Sequence, residues 1–147
     1  MTQMAPFQTV ILIDDDSISN FITEKLILRE DFAQEVQCFV SAEQALTHFK
    51  SLIQENSSFP EIIFLDLNMP GMNGWEFIKA YKKLPSAFIS QCRLFMLSSA
   101  VDAKDIVQAK SLEEVEDFIS KPLTVEDIAV IMERVKYGSE WEKLYHL

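Results

Sequence analysis

Positive charge is scarce in this 147-residue chain: 13 Lys and Arg stand against 23 Asp and Glu, for a formal charge of −10. Nucleic-acid phosphates reward clustered Lys and Arg, so this balance argues against direct nucleic-acid binding. An acidic surface otherwise suits solubility and says more about excluded partners than about real ones. Cysteine is scarce too. Cys38 and Cys92 sit in apolar surroundings without CxxC or zinc-ligand spacing, so they read as buried free thiols of a cytosolic protein. No apolar run approaches the roughly 20 residues of a membrane span. The N-terminal MTQMAPFQ has neither a basic region nor a signal-length apolar stretch, which makes a cytoplasmic location with no membrane partner the expectation. Low-complexity segments and long linkers are missing as well.

What is there is an alternation. The run TVILI (9–13) is continuous and β-branched, as expected of a strand buried on both faces. Ile18, Phe21, Ile22 and Leu26 then recur at helical spacing between Ser17 and Glu30. VQCFV (36–40) is a second strand, and Ser41 with Gln44 forms a capping-box pattern opening a helix that carries Ala45, Leu46, Phe49 and Ile53. EIIFL (61–65) is a third strand, MPGMNG a turn, and 75–84 a helix with Phe77, Ile78, Tyr81 and Leu84 on one face. RLFML (93–97) and DFIS (117–120) complete five strands, with helices expected over 102–112 and from Thr124 to Gly138. Five strand-then-helix repeats imply an α/β, doubly wound five-stranded parallel sheet, because parallel neighbours require crossover connections.

The residues that follow the strands carry the chemistry. Asp14, Asp15 and Asp16 follow the first strand, Asp66 the third, Ser98 and Ser99 the fourth, and Lys121 the fifth. In an open parallel sheet these strand ends share one edge, so the residues converge where ligands bind. Carboxylates at close range repel unless a counter-charge joins them. Mg2+ is the expected one, since it takes oxygen ligands and needs only one or two carboxylates. The lysine adds a second positive point able to hold an anion such as a phosphoryl group, so the set suits phosphoryl chemistry. Asp16, followed by Ser17, reads instead as a helix cap.

Taken together, ILIDDDSISN, IIFLDLNMPGMNGWEFI, LFMLSSA and DFISKPLT resemble the receiver domain of two-component response regulators, the flavodoxin/CheY-like (βα)5 fold. The resemblance covers roughly residues 8–136. It implies the strand order 2-1-3-4-5 and a receiver domain over 1–138, beyond which residues 139–147 form a C-terminal tail with helical spacing. It also implies a stand-alone response regulator that is not an enzyme in the usual sense but assists its own Mg2+-dependent phosphorylation and dephosphorylation. By resemblance Asp66 matches the phosphoacceptor, supplied by a sensor histidine kinase or a histidine phosphotransfer protein. Asp15 matches a direct Mg2+ ligand, Asp14 one acting mainly through water, and Asn68 a ligand through its backbone carbonyl. Ser98, preferred to Ser99 by its place after LFML, matches the hydroxyl that reaches the phosphoryl group, and Lys121 matches the lysine that pairs with it. The Lys121-Pro122 bond is expected to be cis. Phe118 falls at an aromatic switch position, although an apolar strand residue is needed there in any fold of this class.

A Mg2+-dependent phosphohydrolase would also place an aspartate after the first strand, in a DxD pattern, but would need a cap-sized insertion, which is missing. A degenerate receiver used only as a binding module would have lost the acidic pair, the acceptor or the lysine, and all are present. The chain departs from the family pattern in QAKSLEEVEDF, which lacks a Gly-rich turn before the fifth strand. Ala100 stands where an acidic or amide residue would orient a water, so slow self-dephosphorylation is expected. In the tail, Trp141, Leu144 and Tyr145 fall at helical spacing, suited to packing on the domain itself or on a second copy, which leaves monomer or weak homodimer open. The downstream partner is a protein of unknown identity.

Overall fold

The computed structural model describes residues 5–99 and 102–137. The expectations attached to Ala100, to Trp141, Leu144 and Tyr145, and to the boundary at residue 138 lie outside these residues. In chain order the elements are β1 (Phe7–Ile13), α1 (Ser17–Arg29), β2 (Ala33–Phe39), α2 (Ala42–Gln54), β3 (Ile62–Leu65), α3 (Gly74–Tyr81), α4 (Ser86–Ile89), β4 (Arg93–Ser98), α5 (Ala103–Lys110), β5 (Val115–Ser120) and α6 (Val125–Tyr137). The five strands form one parallel sheet in the order β2-β1-β3-β4-β5.

Period-two alternation explains why the strands read as unbroken apolar runs. Ile11 and Ile13 of β1, Ile63 and Leu65 of β3, and Leu94 and Met96 of β4 point into a core shared with α2 and α3. Val10 and Leu12, Ile62 and Phe64, and Phe95 and Leu97 point the other way, against Ile27 of α1 and Ile128 and Ile131 of α6. Each face is covered, so neither set can be polar.

Helix starts follow their capping residues. Asp16 accepts from the backbone N–H groups of Ile18 and Ser19 at 3.0 and 3.2 Å, and Ser41 accepts from Gln44 at 3.2 Å. Asn73 with Glu76 and Asp102 with Asp105 make reciprocal capping boxes. The short α4 was not foreseen: four residues after Pro85 are too few to show a helical period. The segment expected as one helix over 75–84 accordingly ends at Tyr81.

The apolar stripe of α1 signals a helix but not its buried side. Ile18, Phe21 and Ile22 are 70%, 58% and 58% exposed, whereas Asn20, Thr23 and Ile27 are buried. The helix is turned this way because the Asn20 amide donates to the Asp14 carbonyl at 2.9 Å, pinning that side of the first turn to the end of β1. Phe21 lies instead under the Lys25 ammonium, 5.3 Å from its ring centre. Phe21→Ser is therefore expected to change stability by less than about 0.5 kcal/mol. Ile27→Val, one methylene smaller at a fully buried site, is expected to lose about 1 kcal/mol. Urea titration of both variants distinguishes the faces, and a larger loss at Phe21 would reverse this orientation.

One expectation is corrected. Cys38 is exposed, because it lies on the edge strand β2, where only one neighbour covers it. Cys92 is partly buried as expected, and burial pushes its thiol up to about 12. His48 is half-buried with its ring 5.1 Å from that of Phe39, and burial lowers its pKa.

Candidate phosphoryl-transfer and metal site

Register brings the site together. Ile13 pairs with Leu65, so Asp14 and Asp66 leave adjacent strands side by side, and Leu65 pairs with Met96, two residues short of Ser98. Ser98 in turn pairs with Ser120, next to Lys121. Backbone bonds fix the ends: the Asp66 N–H donates to the Ile13 carbonyl at 2.9 Å, and the Lys121 N–H to the Ser98 carbonyl at 3.0 Å. The Lys121-Pro122 peptide is cis.

Asp14, Asp66 and Ser98 are buried while Asp15 is exposed. Ser98 Oγ donates to Asp66 Oδ1 at 3.0 Å. Ser99 is exposed, and of the two serines it is Ser98 whose hydroxyl contacts Asp66. Lys121 Nζ donates to Asp14 Oδ2 and lies 3.5 Å from Asp66 Oδ2. The other Asp14 oxygen accepts from the Asp16 N–H at 2.9 Å. Asp66 has its carboxyl pushed up, first by burial and then by the Asp14 charge, against the opposing pull of Lys121 and the Ser98 hydroxyl. For Lys121 burial works against the ammonium, but its bond to Asp14 and the charges of Asp66 and Asp14 outweigh it, and its pKa is raised.

Asp14, Asp15 and Asp66 each present a carboxylate oxygen within 4.8 Å of the other two. Three carboxylates against one ammonium leave an excess of negative charge, and the donors are all hard oxygens. That set fits Mg2+. Asn68 lies two residues past Asp66, exposed between the buried Leu67 and Met69 in the loop leading to α3. Phe118 is partly buried, against the core shared with α2 and α3. Gly74 presses on the back of the site: a Cβ there would meet the Asp66 carbonyl oxygen at 2.8 Å and Leu67 Cα at 2.9 Å. Sequence reasoning passed over Asn20 and Gly74. Nothing local distinguishes Asn20 from the other polar residues of α1 or marks Gly74 as packed against Asp66.

The family model described as response regulator receiver domain matches residues 10–133. The fold is similar to the crystal structure of a two component response regulator from Cytophaga hutchinsonii, with a TM-score of 0.82 and 32% identity over 90% of this chain and 98% of that one. It is also similar to a response regulator receiver protein from Dyadobacter fermentans, with a TM-score of 0.78 and 35% identity over 86% of this chain and 96% of that one. Among curated proteins, the two-component response regulator ARR14 of Arabidopsis thaliana is 26% identical over 127 residues. That alignment takes in 86% of this chain and 30% of the plant protein, so the chain spans less than a third of that relative's length.

Proposed function

The chain belongs to the response regulator receiver domain family, and on that premise we propose that Asp66 accepts a phosphoryl group from a phosphohistidine on a sensor histidine kinase or a histidine phosphotransfer protein. The observation that carries this reading is the meeting of Asp66, Ser98, Lys121, Asp14 and Asp15 at one sheet edge.

One Asp66 carboxylate oxygen forms the O–P bond as the N–P bond of the donor histidine breaks, and the imidazole leaves carrying the electron pair and takes a proton from solvent. The carboxylate must be ionised to attack, and Lys121 with Ser98 favours that form against the burial that opposes it. Asp14, Asp15, Asp66 and the Asn68 carbonyl would hold Mg2+, which supplies charge neutralisation between the carboxylates and the phosphoryl oxygens. Lys121 is placed to exchange its carboxylate partners for a phosphoryl oxygen, and Ser98 to turn its hydroxyl from Asp66 to the same group. The Phe118 ring would follow Ser98, shifting a two-state equilibrium of the surface around α5, β5 and α6. Ile106, Val107, Val125 and Val130 are exposed there and suit a protein partner. Ile18, Phe21 and Ile22, beside the acidic loop, suit the donor's approach.

Incubation with acetyl phosphate and Mg2+ followed by intact-mass measurement tests the proposal. The expected product is heavier by about 80 Da, one phosphoryl unit, and chelating Mg2+ suppresses it. An unchanged mass with Mg2+ present would overturn the reading.

A further inference from the structure

We propose that Glu43, in the first turn of α2, is a positioning residue for the metal site: it tethers the loop that carries Asn68 and so holds the Asn68 carbonyl where a cation can use it. The inference rests on the reading of that site as a Mg2+ site. Glu43 is exposed and lies 29 residues before Met72 in the sequence. Its Oε1 nevertheless accepts from the Met72 N–H at 2.8 Å, across the space between α2 and the loop leading from β3 to α3.

Gly71 makes this approach feasible. Its φ of +74° is a left-handed conformation that L side chains rarely adopt, and a Cβ there would lie 3.1 Å from Glu43 Oε1. The carboxylate thus rests against a stretch of backbone that has no side chain to hold it off. The loop's inner end is closed separately, by the Gly74 N–H donating to the Leu67 carbonyl at 2.8 Å. Between Leu67 and Asn73, Met69 is buried in the core and Met72 packs partly against it, and the bond to Glu43 Oε1 ties the backbone of the loop tip to α2. Hydrogen bonds from Glu43's own backbone N–H and from Met72 hold its carboxyl below the usual carboxylate range, so it is ionised at neutral pH and stays an acceptor.

A ligand that is a backbone carbonyl cannot be oriented by its own side chain. Its position depends on the rigidity of the loop, and Mg2+ demands near-ideal octahedral geometry. Groups that orient ligands from outside the coordination sphere commonly change metal affinity by about 10–100-fold. Glu43 acts one step further out, through the loop, which points to the lower end.

Calorimetric titration of Mg2+ alone into the full chain and its variants tests the tether. Glu43→Ala is expected to weaken Mg2+ binding about tenfold, and exchange of the Met72 amide with solvent to quicken. Glu43→Gln keeps an oxygen acceptor and loses only the charge, so it is expected to stay within roughly threefold of the parent. Asp127→Ala serves as the stability control. It removes the carboxylate that accepts from the Thr124 N–H at 3.0 Å at the start of α6, so it should lower the melting temperature and leave Mg2+ affinity unchanged. Equal Mg2+ affinity in Glu43→Ala and the parent overturns the tether while leaving the metal site standing. A Gln variant as weak as the Ala variant also overturns it, because charge and not the hydrogen bond would then be responsible. A parent that binds no Mg2+ removes the underlying reading together with the tether.

Discussion

Asp66→Asn is expected to abolish the phosphoryl adduct and, at neutral pH and without Mg2+, to raise the stability of the folded chain. The first effect follows from chemistry: an amide has no anionic oxygen to attack phosphorus, and Asp14 is engaged by Lys121 and the Asp16 N–H. The second follows from the carboxyl's raised pKa, which burial and the Asp14 charge cause. A group whose folded-state pKa lies above its unfolded value binds protons more readily when folded, so its ionisation opposes folding. The penalty is present above the raised pKa and fades as pH falls through it. Asparagine removes the charge and keeps an oxygen to accept from Ser98. A gain of about 1 kcal/mol, a rise in melting temperature of roughly 2–4 °C, is expected. Calorimetric melts at neutral pH and in mild acid check the sign, since the difference between variant and parent should shrink in acid. A variant less stable than the parent at neutral pH would mean that the Asp66 charge is compensated more fully than Lys121 and Ser98 allow.

Lys121→Met acts in the opposite direction. The Lys121 side chain is 16% exposed and its ammonium serves Asp14 and Asp66 together. Removing it leaves two buried carboxylates facing each other, and breaking a largely buried ion pair in this way is expected to destabilise the chain by about 2–4 kcal/mol. Lys121 has a raised folded-state pKa, so its contribution is fully present below its unfolded value and is lost only as pH rises through the folded one, in the alkaline range. At the acid end, protonation of Asp66 relieves the repulsion and the gap between variant and parent narrows. Added Mg2+ should narrow it too, by binding the folded form. Adduct formation from acetyl phosphate is expected to slow roughly 100-fold, the scale for losing one preorganised group that meets developing charge. Urea titrations with and without Mg2+, together with the rate of mass gain, measure both. A variant as stable as the parent in the absence of Mg2+ would show that Lys121 is not the neutralising group.

Strands and site residues were legible for one reason. A strand covered on both faces has to be apolar throughout, so β1, β3 and β4 stand out as runs, and the first polar residue after each run marks the sheet edge. Caps were legible because a helix start leaves N–H groups that only a few side chains can satisfy, as at Asp16 and Ser41. Amphipathicity was less reliable. The α1 stripe of Ile18, Phe21 and Ile22 has helical spacing whether it faces the core or the solvent, and the face that is inward carries the Asn20 bond to Asp14 and the buried Ile27.

By itself, then, the sequence determined the alternation of strands and helices and placed Asp14, Asp15, Asp66, a serine and Lys121 at strand ends, because composition along a chain records how each segment is covered. The tertiary structure decided the rest: that Ser98 rather than Ser99 reaches Asp66, that Lys121 is shared between Asp14 and Asp66, and that Glu43 meets Met72. Each of these contacts joins residues more than twenty positions apart. Strand register, helix rotation and the left-handed turn at Gly71 set those distances, and none of the three is written in the spacing of the residues concerned.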